Sequence, residues 1–143
     1  MAKKKTYKVL HWLDTGIFPA TVMFSCGFKY IEIMKMLKQK KAEHWISGIS
    51  EDKALIENGN YLALKREIEN LKTKECKTLY YIIINEDFNF TDYEYCKLAH
   101  EVLHICQFFL PDCLDRNREY ECEAYLHTHL MQQCLKILRG GKN

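Results

Sequence analysis

Two histidines and a glutamate stand together as His100-Glu101-Val102-Leu103-His104. On a helix this spacing puts two imidazoles one turn apart on one face with a carboxylate beside them. Neutral imidazoles so placed can share a tetrahedral zinc ion, leaving room for a third protein ligand and a water. Glu101, one residue after the first histidine, reaches the edge of such a site without becoming a ligand. There it can take a proton from zinc-bound water, whose pKa the metal lowers towards neutrality. The chemistry this predicts is metal-assisted hydrolysis, with Glu101 as general base and the carbonyl of a peptide or protein substrate under attack.

Between Tyr93 and Leu110 the residues are apolar nearly all round, which predicts a buried helix. Its few polar side chains, Lys97, His100, Glu101, His104 and Gln107, fall on one stripe. The plain alternative is that this stripe is the wet side of a half-buried helix. A third histidine six residues after His104 is absent, since Leu110 stands there, so a third ligand must come from elsewhere. The next predicted helix offers Glu119, Glu121 and Glu123. Its apolar face is marked by Tyr120, His127, Leu130, Met131, Cys134 and Leu138, and Glu123 falls inside that sector. Glu121 falls with Arg118, Gln132 and Arg139 on the polar side. A carboxylate facing the core is costly unless something satisfies it, and a metal would do so. Glu123 is therefore the expected third ligand, with Glu119, one turn earlier, as runner-up.

His127, one turn after Glu123, fits either a partner that orients the ligand or a hydrogen-bonded core histidine. Tyr120 and Tyr125 are near enough in sequence to help stabilise an oxyanion, on proximity alone. Cys96, one turn before His100, offers a different outcome, a structural site built from Cys96, His100 and His104. Cysteine nucleophilic chemistry through Cys106 and His104 is set aside, because residues i and i+2 on a helix point to different sides.

The motif helix has a legible start: Thr91-Asp92-Tyr93-Glu94 is a capping box, and Phe90 can staple against Tyr95. Pro111 bounds its end. The second helix is expected from about Asp115 or Asn117 to Leu138, closed by Gly140-Gly141. Ahead of the pair, Tyr7 to Asp14 reads as a strand, Thr15-Gly16 and Pro19 as a turn, and Thr21 to Cys26 as its hairpin partner. Phe28 to Lys40 reads as an amphipathic helix with Ile31, Met34 and Leu37 in its buried stripe, and Ile33 and Met36 alongside. Ser50-Glu51-Asp52 suits the cap of a short helix that Gly59 stops. Residues 60–70 fit helix by propensity, but Thr73-Lys74-Glu75 resembles a turn, which favours a strand paired with Leu79 to Ile84, itself the clearest strand in the chain. The expected fold class is α+β, a small antiparallel sheet packed against a helix pair carrying the motif.

The 143 residues, 48% hydrophobic and 28% charged, suit one domain spanning 1–143 with a core that needs no staple. A net charge of +2 is too small to argue for nucleic acid, and Lys3-Lys4-Lys5 suits a solvated terminus. Seven cysteines, an odd number with no Cys-x-x-Cys, suit reduced thiols. No apolar run approaches a membrane span or a signal-peptide core. These features predict a cytoplasmic protein with no membrane partner.

His100-Glu101-x-x-His104, followed by Glu121-Cys122-Glu123-Ala124-Tyr125 on the next helix, resembles the gluzincin type of zinc metallopeptidase. It is particularly similar to small gluzincin-like proteins of phages and bacterial mobile elements. The resemblance covers roughly residues 79–131 and implies a minimal zincin-like fold. It also implies Zn2+ held by His100, His104 and a downstream glutamate, with Glu101 as catalytic base. Some relatives carry Glu-x-x-Ala-Asp, which would align the ligand with Glu121 and leave Tyr125 where the Asp belongs. Helical phase favours Glu123 instead. The resemblance further implies a strand ahead of the motif helix, at a cleft edge where substrate docks by strand addition, a place that Leu79 to Ile84 would fill. The alternative, from another class, is a non-enzymatic interaction protein that keeps such a fold with structural zinc or none. The small size of the chain favours it, since few residues remain for a substrate cleft.

Overall fold

The run Leu79-Tyr80-Tyr81-Ile82-Ile83-Ile84 shows no polar alternation because both of its faces are covered. In the computed structural model, which describes residues 8–16, 20–69, 72–110 and 120–140 (the backbone alone at 120 and 121), it forms most of strand β4, Cys76–Ile84. β4 lies inside a four-stranded sheet with β1 (Val9–Leu13), β2 (Thr21–Cys26) and β3 (Tyr61–Glu69), in the order β1-β2-β4-β3. Tyr80, Ile82 and Ile84 face one core, and Leu79, Tyr81 and Ile83 face the other. Period-two side-chain geometry thus serves two cores with one strand.

β1 and β2 form the expected antiparallel hairpin, with Val9 opposite Cys26 and Leu13 opposite Val22. β3 and β4 are also antiparallel, from Tyr61 opposite Ile84 to Glu69 opposite Cys76, so residues 60–70 are strand as the downstream turn suggested. β2 and β4, however, run parallel, with Thr21 opposite Leu79 and Cys26 opposite Ile84. The sheet is mixed, which corrects the expectation of an antiparallel one. After β2 the chain passes through α1 (Tyr30–Gln39), a 3-10 turn (Glu43–Trp45), α2 (Ile46–Ser50) and α3 (Lys53–Asn58). It runs β3 at the far edge and then turns back into the gap, which leaves β4 parallel to β2. That crossover is long enough for the parallel pairing, and no local pattern reports its direction.

One layer is built by α1–α3 with Trp45, whose Ile33, Leu37, Ile49 and Ile56 pack on Leu79, Tyr81 and Ile83. In α1 the buried pair is Ile33 and Leu37, while Ile31 is 64% exposed. Of the expected stripe, Leu37 is buried and Met34 packs against this core, as Met36 does alongside Ile33, and Ile31 is the member that turns outward. Asp52 precedes α3 and Gly59 closes it, as its flanking residues suggested.

The other layer is the pair α4 (Asp92–Phe109) and α5 (Tyr120–Leu138). They pack antiparallel: His127 reaches the Ala99 carbonyl, and Arg139, just past the end of α5, reaches the Tyr95 hydroxyl near the start of α4. α4 lies on β3 and β4, and α5 lies on β1. Leu98, Val102, Ile105 and Phe109 of α4 meet Leu126, Leu130, Cys134 and Ile137 of α5 in a core sealed by Phe24 and Ile82. No helix among the described residues is long and apolar enough to cross a membrane. The expected boundaries at Pro111, at Asp115 or Asn117 and at Gly141, like Tyr7, Pro19 and the early lysines, lie outside the described residues.

Candidate metal centre on helix α4

α4 is fixed at its start by its own sequence. The Thr91 hydroxyl accepts from the Glu94 backbone N–H at 3.2 Å. The Glu94 carboxylate accepts from the Asn89 N–H at 2.6 Å and from the Thr91 hydroxyl at 3.0 Å. It therefore closes the cap two residues before Thr91 rather than on the Thr91 N–H that an ideal capping box would use. Phe90 and Tyr95 meet edge-on at 6.1 Å, with Phe88 against both, so the staple is present. These contacts fix the start of α4, and helix geometry carries that register to His100.

The helix is not buried all round. Leu98, Val102, Ile105, Cys106 and Phe109 face the core, whereas Tyr93 is 68% and Leu103 39% exposed. His100 is exposed, and Glu101, His104 and Gln107 are half-buried. The polar stripe is therefore the open side of an amphipathic helix, and this corrects the expectation of a wholly buried one. What sets it apart from ordinary wet side chains is convergence. The two imidazoles meet with Nε2 to Nε2 at 2.9 Å, their rings edge-on at 4.5 Å. His104 is flanked by Phe108, stacked at 6.1 Å and 17°, and its Nδ1 lies 3.3 Å from Oε1 of Gln107.

Two Zn–N bonds of about 2.0–2.1 Å at a tetrahedral angle set their nitrogens about 3.3 Å apart, so a small parting of the rings would admit the ion. The two histidines fit zinc. Glu101 flanks them, and burial holds its carboxyl above the usual range, against the opposing pull of His100, His104 and Lys97. A base whose proton affinity is raised in this way is better matched to accepting a proton near neutral pH. The Lys97 ammonium, one turn earlier, lies 4.5 Å from the Tyr93 ring and 5.0 Å from the Tyr61 ring, so it is held between aromatic faces.

The other candidates are not brought to the imidazoles. Glu123 is half-buried, in keeping with its phase on α5. Its charge acts on the Cys106 thiol, which burial first of all and then Glu123 push up to about 12. Cys106 stands two residues beyond His104 and so on another side of α4. Among the described residues no three His, Cys, Asp or Glu side chains are grouped to hold an ion. Cys96 is exposed and does not complete a site with the histidines. Glu119 and the side chains of Tyr120 and Glu121 lie outside the described residues.

His127 Nε2 donates to the Ala99 carbonyl at 3.0 Å. Of its two expected roles, that contact is the hydrogen-bonded histidine that ties α5 to α4. Tyr125 is 72% exposed, on the side of α5 away from its buried row, and does not join the site. Two clefts, of about 420 and 440 Å3, are lined respectively by Trp12, Asp14, His129, Gln132, Gln133 and Lys136 and by residues around Trp45 and Ile68. Sequence reasoning placed Gln107 on the stripe but gave it no role, and it missed Phe108. The available signal was spacing, at i+3 and i+4 from His104. The strand expected at a cleft edge, Leu79 to Ile84, is an inner strand, and the edge strand beneath α4 is β3. No disulfide joins the described cysteines to one another, and Cys113 lies outside the described residues. The chain matches no protein-family model, no curated protein and no solved structure.

Proposed function

We propose that the chain is a zinc-dependent hydrolase of metallopeptidase type on a minimal zincin-like fold, with Zn2+ held by His100 and His104. The observation that carries this reading is the meeting of the two Nε2 atoms at 2.9 Å with the Glu101 carboxylate on their flank. Zinc bound there would make a water acidic near neutral pH and polarise a carbonyl oxygen. Glu101 then accepts the proton of the attacking water and returns it to the leaving amine, the general acid–base role that its raised proton affinity suits. Glu123 is the first candidate for the third ligand, and Glu119 and Glu121 are the alternatives. A peptide substrate would be held in extended form along the free edge of β3, beside α4, with main-chain hydrogen bonds supplying affinity.

Metal content per chain on protein purified without a histidine tag tests this. Wild type and Glu101→Gln should hold near-stoichiometric zinc, His104→Ala should lose it, and both variants should lose peptide cleavage. A wild type that takes up no zinc on titration would sink the reading. One observation favours a second reading, an interaction protein without hydrolytic activity: among the described residues no third His, Cys, Asp or Glu is grouped with the two imidazoles. If Glu123→Gln, Glu119→Gln and Glu121→Gln all keep zinc at wild-type affinity, the ion has no carboxylate ligand from residues 119–123 and this second reading gains.

A further inference from the structure

The six histidines include four on α4 and α5 whose ring nitrogens have contacts, and those contacts sort them. His127 gives its Nε2 hydrogen to a backbone carbonyl at 3.0 Å. His129 has its Nε2 at 3.0 Å from the Gln133 amide nitrogen. That same amide accepts from the Asp14 N–H at 2.7 Å and donates to the Asp14 carbonyl. In both histidines Nε2 is spent on a contact within the fold. In His100 and His104 the Nε2 atoms face one another instead.

A glutamine again decides the second case, by its other end. Oε1 of Gln107 lies 3.3 Å from His104 Nδ1. A carbonyl oxygen only accepts, so Nδ1 must carry the hydrogen, and a neutral imidazole carries just one. Nε2 of His104 is left with a bare lone pair aimed at His100. Phe108, stacked on the same ring, restrains it from turning away.

We propose that Gln107 is the positioning residue for His104: it fixes the Nδ1–H tautomer and so presents the Nε2 lone pair to a metal ion. The role rests on the zinc reading. In the metal-free chain His100 supplies the one hydrogen between the two Nε2 atoms, and on metal binding only His100 has to change tautomer. His104 is set in advance. This is the work a partner to the non-ligating nitrogen does in metal sites generally, where its loss costs about 10- to 100-fold in metal affinity.

The test pairs a tautomer measurement with a zinc measurement, on the full chain as wild type, Gln107→Leu and Gln107→Glu. Nitrogen–proton correlation of 15N-labelled imidazoles in the metal-free protein, above the imidazole titration range, reports which nitrogen holds the hydrogen. Zinc affinity comes from competition with a chromophoric chelator. Wild type should show His104 as the Nδ1–H tautomer. Gln107→Leu should move it to Nε2–H and weaken zinc by about 10- to 100-fold. Gln107→Glu, which restores an acceptor at the same reach, should recover both. Wild-type His104 found as Nε2–H would overturn the proposal. So would Gln107→Leu holding zinc as tightly as wild type while His104→Ala loses it, and in that outcome the zinc reading survives. A wild type that binds no zinc removes both together.

Discussion

The sheet carries a polar cluster on each face, and the two are opposites in chemistry. On the α1–α3 side Arg66 of β3 holds Asp52 through Nε at 2.7 Å and through Nη2, while Nη1 reaches Glu51 at 3.0 Å. The Tyr81 hydroxyl donates to the same Asp52 carboxylate. Asp52 is 1% exposed, and every contact closes within the chain. On the α4 side His100 is exposed and His104 half-buried, Nε2 faces Nε2, and among the described residues no cation is bonded to the half-buried Glu101 carboxyl in the way Arg66 is bonded to Asp52. A polar group that serves the fold has its donors and acceptors consumed by the fold. A group that serves a ligand keeps a lone pair in hand. The comparison can be broken by exchanging the two behaviours.

The largest effect belongs to the closed cluster. Arg66→Leu leaves a buried carboxylate with only Tyr81 and should cost about 3–5 kcal/mol, since removing one member of a buried pair strands the other. Urea unfolding measures it. His104→Ala in metal-free protein should change stability by no more than about 0.5 kcal/mol, as for a surface substitution. Equal losses in the two variants would mean that the open cluster is structural after all.

Zinc should reverse the ranking. At a free concentration 100 times its dissociation constant, zinc should add about 2.7 kcal/mol to wild type, visible as a rise in the thermal midpoint. His104→Ala should show no rise, and Asp52→Asn should keep the full increment from a lower starting point. A zinc shift lost in Asp52→Asn would couple two clusters that the sheet separates.

Asp52 also sets a pH limit. Burial pushes its carboxyl up, but the hydrogen bonds from Arg66 and Tyr81 and the Arg66 charge outweigh that and leave it below the ordinary value of 3.8. A group whose folded value is depressed contributes stability that is fully present above its unfolded value and is lost as pH falls through the folded one. Stability should therefore drop as pH falls below about 3.8, and this part of the acid limb should disappear in Asp52→Asn. An unchanged limb in that variant would assign the acid sensitivity elsewhere.

The two clusters also differ in how much of them the residues announce. The cap at Thr91, the staple of Phe90 on Tyr95 and the run Leu79 to Ile84 were legible because each rests on contacts within a few residues or on one unbroken apolar stretch. The sheet order and the parallel β2–β4 pair were not, since they depend on where a crossover of more than thirty residues lands. His100, Glu101 and His104 were legible because a single helix fixes their relation. Glu123 shows the limit of that reasoning. It is half-buried, as its phase on α5 suggested, yet whether it meets the imidazoles depends on how α5 is rotated and shifted against α4, and among the described residues it is not grouped with them. Arg66 and Asp52 were invisible for the same reason: strand and loop meet only once β3 has reached the edge of the sheet.

The smallest effect gives the cleanest contrast, because its sign is opposite in the two clusters. The Glu101 carboxyl is held above its ordinary value of 4.5 by burial, against weaker opposition from His100, His104 and Lys97. Its ionised form is therefore penalised in the fold, fully at neutral pH and not at all once pH falls below the unfolded value. Glu101→Gln should raise the stability of metal-free protein at pH 7, by less than about 1 kcal/mol because a half-exposed carboxylate keeps much of its hydration. Near pH 4 the gain should vanish. Asp52→Asn should lower stability at pH 7, since it removes an acceptor from Arg66 and Tyr81. Chemical unfolding of both variants at the two pH values, with chelator present, reads all four numbers. A loss of stability in Glu101→Gln at pH 7 would show its carboxylate bound into the fold as Asp52 is, and would remove the ground for treating it as a base held in reserve.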